Sequence, residues 1–291
     1  MKSLAAFLFL APLLLLPVTR AAEAPAAYSI PGSQVRNLPV NSVSGRAYQL
    51  LIGLPGNYDK DTTKRYPVVF VTDGYWDFAK LTSIHGGLVY DHAAPEFITV
   101  GLSYVGEKLN YGDLRWWELS PVVGGGKGPE ESGHAADFLK ILENEIVPFV
   151  EREYRVDSAH RALAGASLGG LFTLYAMYTT PDFFSGYIAA TPAIAYTNDW
   201  LLGYEEEFAK AGKKLNTRLF VSVGEKEWSG HIAGILRHNE RLASRKHAGL
   251  AYQFRIIDGE GHAGMQFESY TRGLRFILGP LATPPTMNAA H

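Results

Sequence analysis

From residue 46 to residue 278 the chain alternates short apolar runs with longer stretches of helical spacing. Residues 46–54 (RAYQLLIGL) alternate apolar and polar positions and predict a strand; residues 55–64 read as a turn. Residues 66–72 (YPVVFVT) and 97–102 (FITVGL) are near-continuous apolar runs. A strand buried on both faces of a parallel sheet has this pattern. Residues 161–164, 186–190, 218–223 and 252–257 add four more strands. Helical spacing runs over 135–152 through Phe138, Ile141, Leu142, Ile146 and Phe149, over the small and apolar stretch 168–178, and over 265–278. Strands alternating with helices predict an α/β protein with a mostly parallel central sheet and helices on both faces. Two stretches read as irregular. Residues 22–44 look like a surface lead-in, and 104–133, with Gly124-Gly125-Gly126 inside it, looks like a long loop of the kind that carries function.

The first residues add a compartment. Lys2 precedes a nearly unbroken apolar stretch from Leu4 to Val18, and Thr19-Arg20-Ala21-Ala22 offers small residues for cleavage. This is the pattern of a secretory signal peptide over residues 1–21, and the stretch is shorter than the roughly 20 residues that span a bilayer. The expected organisation is therefore a leader, the lead-in, one domain over 45–278 and a tail over 279–291. The mature protein is expected in the periplasm or outside the cell, with no membrane attachment.

The chain has 291 residues, 47% of them hydrophobic, enough for one sizeable core. A formal net charge of -2 gives no polyanion-binding surface, so nucleic acid is not an expected partner. With no cysteine, neither a disulfide nor a thiolate nucleophile is available. The histidines show no zinc-ligand spacing, and no metal or cofactor is expected.

The candidate chemistry starts at Gly165-Ala166-Ser167-Leu168-Gly169. The pattern G-x-S-x-G gains meaning from its place between an apolar strand and a helix. A serine on such a tight turn needs neighbours without side chains, because backbone passes close by. It also sits at a helix N-terminus, where the Leu168 N–H can donate to an oxyanion. A hydroxyl needs a base. His262, in Gly259-Glu260-Gly261-His262, follows the last strand at the sheet edge where α/β folds build their sites. His160, His238 and His247 stand in polar, helical or turn contexts and are expected at the surface. His85 and His92 are placed to line a cleft but precede the serine in the chain. The acid is sought between serine and histidine, where Gly224-Glu225-Lys226-Glu227 ends a strand. Glu227 is the first choice, with Glu225 and Asp258 as alternatives. A second oxyanion donor is expected after an early strand, and Thr72-Asp73-Gly74-Tyr75 offers the Tyr75 N–H, with Asp73 structural.

Four blocks together resemble the putative-esterase family of α/β hydrolases, which includes esterase D, feruloyl esterases, trilactone siderophore esterases and mycolyltransferases. They are residues 66–74, Arg115-Trp116-Trp117-Glu118-Leu119-Ser120-Pro121, the stretch from Phe138 to Gly170 that contains the serine, and 259–262. The resemblance implies the α/β-hydrolase fold and a serine hydrolase acting on carboxylic esters through an acyl-enzyme. It supports Ser167 and His262 and favours Glu227 over Glu225. Some siderophore esterases of this kind work with a Ser–His dyad. The family's Arg-Asp is replaced here by Trp117-Glu118, and its Trp-rich block by Thr191-Pro192-Ala193-Ile194-Ala195-Tyr196. Arg115, Trp116 and Trp117 are candidates for the substrate cleft: aromatic walls suit a phenolic acyl or catechol group, and arginine an anion. An acyltransferase with an alcohol acceptor, and a non-catalytic binding module on the same fold, are the alternative functions.

Overall fold

The apolar runs become the strands of a single sheet in the computed structural model, which describes residues 28–123 and 129–283. The leader, Gly124-Gly125-Gly126 and the end of the tail lie outside the described residues. The strands are β1 (Ser33–Val40), β2 (Ala47–Gly53), β3 (Tyr66–Val71), β4 (Ile98–Tyr104), β5 (Val156–Ala166), β6 (Gly186–Ala190), β7 (Arg218–Gly224) and β8 (Ala251–Ile257). Their order across the sheet is β1-β2-β4-β3-β5-β6-β7-β8. The pairs β1–β2 and β2–β4 are antiparallel, and all strands from β4 to β8 run parallel. This is the α/β-hydrolase arrangement.

Alternation along β3 shows how the sheet divides the core. Val68 and Phe70 face one apolar cluster, and Val69 and Val71 face another. The first cluster is covered by α2 (Tyr111–Leu119), α3 (Ala135–Ile141), α4 (Val147–Glu153), α5 (Leu168–Thr179), α6 (Trp200–Lys210) and α7 (Ser229–Arg245). The second is covered by α1 (Gly74–Tyr90) and α8 (Met265–Leu278). Burial of both faces explains why the central strands read as unbroken apolar runs.

Several elements differ from the sequence reading. The lead-in contains β1, an edge strand with most of its residues at least partly exposed, so it carries no apolar signature. The long loop contains α2, capped by the Asn110 side chain accepting from the Asp113 N–H. The helix expected over 135–152 is continuous, but a π turn at Leu142–Ile146 joins α3 to α4. Pro148 follows in the first turn of α4, where the lack of an N–H is tolerated. His238 is not at the surface: it is fully buried on α7, and its Nε2 lies 2.9 Å from the Tyr178 hydroxyl.

Among the described residues no helix is long and apolar enough to cross a membrane.

Candidate active site

Six parallel strands end at one edge of the sheet, and five of them, β3, β5, β6, β7 and β8, deliver a residue there. β5 ends at Ala166 and hands the chain to Ser167, which has φ 58° and ψ -115° before α5 begins. Few side chains adopt such a backbone, and it is held by close packing. A Cβ on Gly165 would lie 2.4 Å from the Gly169 carbonyl oxygen, and one on Gly169 would lie 2.1 Å from Thr72 Oγ1. The glycines are therefore required by contact with the turn after β3. The Ser167 N–H donates to the Ala190 carbonyl at 2.9 Å, and its own carbonyl accepts from Leu171 and Ala193.

The turn after β7 brings Glu227, and the loop after β8 brings His262. His262 Nδ1 lies 2.6 Å from Glu227 Oε2. The Glu227 side chain is 2% exposed, whereas His262 is 47% exposed and opens into the cleft. A buried carboxylate needs donors. Glu227 has the Thr191 hydroxyl at 2.7 Å from each oxygen and the Gly224 N–H at 2.9 Å from Oε1. Burial alone would raise its pKa, but the hydrogen bonds from His262, Thr191 and Gly224 outweigh burial and hold it below the usual carboxylate range. The two alternative acids do not meet His262 in this way. Glu225 accepts from the Gly259 N–H at 2.9 Å near the surface, and Asp258 is exposed.

Ser167 and His262 line the same cleft of about 400 Å³, together with Leu168, Trp116, Tyr196 and Trp228. Leu168 is the first residue of α5, so its N–H stands at the helix start beside the serine. Tyr75 is the second residue of α1, and its exposed ring stacks on Tyr111 at 4.2 Å. Gly74 lets that helix start lie against β4: a Cβ there would meet the Gly101 carbonyl carbon at 2.6 Å.

The three expected cleft residues part ways. Trp116 lines the cleft. Arg115 lines it too, but its guanidinium is engaged by Asp73; that pairing outweighs burial and raises its pKa. Trp117 is absent from the lining. It stacks on His134 at 4.1 Å, with the Arg46 guanidinium 4.0 Å from its ring. On a helix, neighbours in sequence point about 100° apart, which separates Trp116 from Trp117. His85 is half-buried, stacked on Phe97 away from the cleft, and His92 is exposed.

Four residues of the site were not singled out by sequence reasoning. Tyr196, Lys226 and Trp228 line the cleft, and Trp228 is 61% exposed. His231 lies 3.2 Å from Glu227 through its Nε2. Its spacing four residues after Glu227 was the available signal. Ligand-capable atoms of Glu227, His231 and His262 lie within 4.8 Å of one another. The His262–Glu227 hydrogen bond and the Thr191 hydroxyl shared by Glu227 and His231 already account for that spacing.

Fold and site edge together define an α/β hydrolase. The model of the family described as "Putative esterase" matches residues 41–241. The chain belongs to that family. It is 28% identical over 270 residues to the ferri-bacillibactin esterase BesA of Bacillus subtilis, covering 87% of this chain and 92% of that protein. It is 26% identical over 266 residues to a siderophore triacetylfusarinine C esterase of Aspergillus fumigatus, covering 80% and 89%. Among solved structures, the BES protein of Bacillus cereus superposes with a TM-score of 0.78 at 26% identity, over 87% of this chain and 98% of that one. The protein is a carboxylic ester hydrolase.

Proposed function

We propose that the protein is an exported serine esterase that uses Ser167, His262 and Glu227 as a triad and opens the ester bonds of a siderophore. The 2.6 Å contact between His262 Nδ1 and buried Glu227, in the cleft that contains Ser167, carries this reading. A carboxylate at Nδ1 keeps the ring proton there and leaves the Nε2 lone pair free. Nε2 takes the Ser167 proton as Oγ attacks the ester carbonyl, and Glu227 stabilises the imidazolium. The N–H groups of Leu168 and Tyr75 receive the oxyanion. The imidazolium then protonates the departing alcohol, leaving an acyl-enzyme. Water, deprotonated by His262, attacks the acyl carbon, and Ser167 recovers its proton. No step uses a metal or cofactor.

The substrate class is supported by the names of the relatives and by the cleft itself. Trp116, Tyr196 and Trp228 supply aromatic walls, and Lys226 a cation at the rim, which suits a phenolic or catechol arm. Export is supported by the apolar leader, and the mature enzyme then works in the periplasm or outside the cell. Small-molecule esters are its partners in this reading.

A fluorophosphonate probe is expected to label the wild type and not Ser167→Ala; labelling that survives the substitution removes Ser167 from the mechanism. The substrate is tested by comparing kcat/KM for a trilactone siderophore, a feruloyl ester and p-nitrophenyl acetate, each with and without a competing alcohol. The siderophore should be the best substrate. A higher value for the feruloyl ester, or acyl transfer to the alcohol outrunning hydrolysis, would replace this reading.

A further inference from the structure

His231 takes no part in the steps above, yet it occupies a position where a histidine is costly. It lies in the first turn of α7 and is 2% exposed. Its Nδ1 is buried with no hydrogen-bond partner. Its Nε2 lies 2.7 Å from Thr191 Oγ1 and 3.2 Å from Glu227 Oε2.

A proton count assigns the roles. Thr191 Oγ1 is also 2.7 Å from both Glu227 oxygens, which carry no proton to give. The single hydroxyl proton therefore goes to the carboxylate, and toward His231 the hydroxyl accepts. Nε2 must then bear the ring proton. The other tautomer would set two lone pairs against each other and leave a buried N–H unmatched. The ring is neutral: burial holds its pKa below the usual histidine range, against the pull of Glu227. Thr191 supplies a second, independent sign. It is β-branched and sits at φ 42°, a strained backbone for such a residue. In this strained position, at the end of β6, its hydroxyl reaches Glu227.

The groups facing His231 come from every neighbouring element. They are Thr191 after β6, Tyr196 with ring centres 5.7 Å apart, Glu227 from the turn after β7 and His262 at 5.6 Å from the loop after β8. Lys226 lines the same cleft. Glu227 thus accepts hydrogen bonds from Gly224, Thr191 and His262, and His231 fixes the Thr191 hydroxyl among them, which leaves the carboxylate little freedom to turn away from His262.

We infer that His231 is a positioning residue of the esterase, acting through Thr191 to hold Glu227 toward His262. The inference rests on the triad reading.

Three variants test it. His231→Phe removes the donor while filling the space. It should lower kcat on the order of tenfold, well short of loss of the acid itself, with KM little changed. Glu227 is then freer to turn away and less of its charge faces His262, so the acidic limb of the kcat/KM profile should move to lower pH. His231→Gln, which restores an N–H, should recover both quantities. Thr191→Val removes the hydroxyl without touching the histidine and should reproduce the kcat loss and the pH shift if His231→Phe does not fold. Unchanged kcat and an unmoved acidic limb in His231→Phe or Thr191→Val would overturn the inference. So would a loss in His231→Phe that His231→Gln fails to recover. Glu227→Gln is the control for the underlying reading: wild-type kcat in that variant shows that the triad assignment has failed, independently of His231.

Discussion

Arg115 and Asp73 form a two-pronged ion pair, with Nε donating to Oδ1 and Nη2 to Oδ2, each at 2.8 Å. Nη2 also lies 3.4 Å from the carbonyl of Ala166, the residue before the candidate nucleophile. The arginine therefore braces the turn after β3 and the serine elbow against α2. Its charge is answered inside the protein by Asp73. Both side chains are largely buried, at 19% and 6% exposure, so breaking the pair leaves an uncompensated charge. Arg115→Met should cost about 3–5 kcal/mol of stability in urea unfolding. Arg115→Lys keeps the charge but not the fork, and should retain more stability than activity.

The choice of acid is tested by paired substitutions. Glu227→Gln should lower kcat by about 10³–10⁴, because the amide cannot stabilise the imidazolium and favours the wrong tautomer. Glu225→Gln should stay near wild type, since Glu225 only caps the Gly259 N–H. Rates on p-nitrophenyl acetate measure both. A strong effect at Glu225 and none at Glu227 would reverse the assignment.

Glu118 makes stability depend on pH in a stated direction. Burial pushes its carboxyl up to about 7, although the hydroxyls of Tyr48 and Tyr104 and the charge of Arg46 pull it down. In an unfolded chain the value is about 4.3. The folded state therefore binds more protons between these values, and stability falls as pH rises. The contribution is fully present below about 4.3 and lost as pH passes 7, a difference on the order of 4 kcal/mol. His85, which burial pushes down to about 4, imposes the opposite slope between about 4 and 6.5, in wild type and Glu118 variant alike. The comparison is thus between wild type and Glu118→Gln, by urea unfolding at pH 5 and pH 8. The variant should lose less stability over that interval than the wild type; identical losses would remove Glu118 from the account.

What could be read from the chain follows from where its information sits. The parallel strands were legible because burial on both faces writes an unbroken apolar run, as at residues 66–71. The serine turn was legible because Gly165 and Gly169 are forced by contacts within a few residues and with Thr72. β1 was not legible, since an edge strand buries little. The side of α2 that faces the cleft could not be read without knowing that 111–119 was a helix, and so Trp116 and Trp117 were grouped together. His231 was missed for another reason. Its partner Thr191 is 40 residues away, and only the sheet order, with β6 beside β7, brings the two together.

The backbone at Ser167 has a consequence for heat resistance. A residue held at φ 58° and ψ -115° would relax its conformational cost if it were glycine. Ser167→Gly should therefore melt at a higher temperature than the active enzyme, by an amount that corresponds to about 1 kcal/mol, offset in part by the freer unfolded chain. Differential scanning calorimetry of the wild type, Ser167→Ala and Ser167→Gly would measure it, and a melting point below that of Ser167→Ala would contradict it. A protein selected only to endure would discard this turn; in the triad reading the turn trades thermal endurance for turnover.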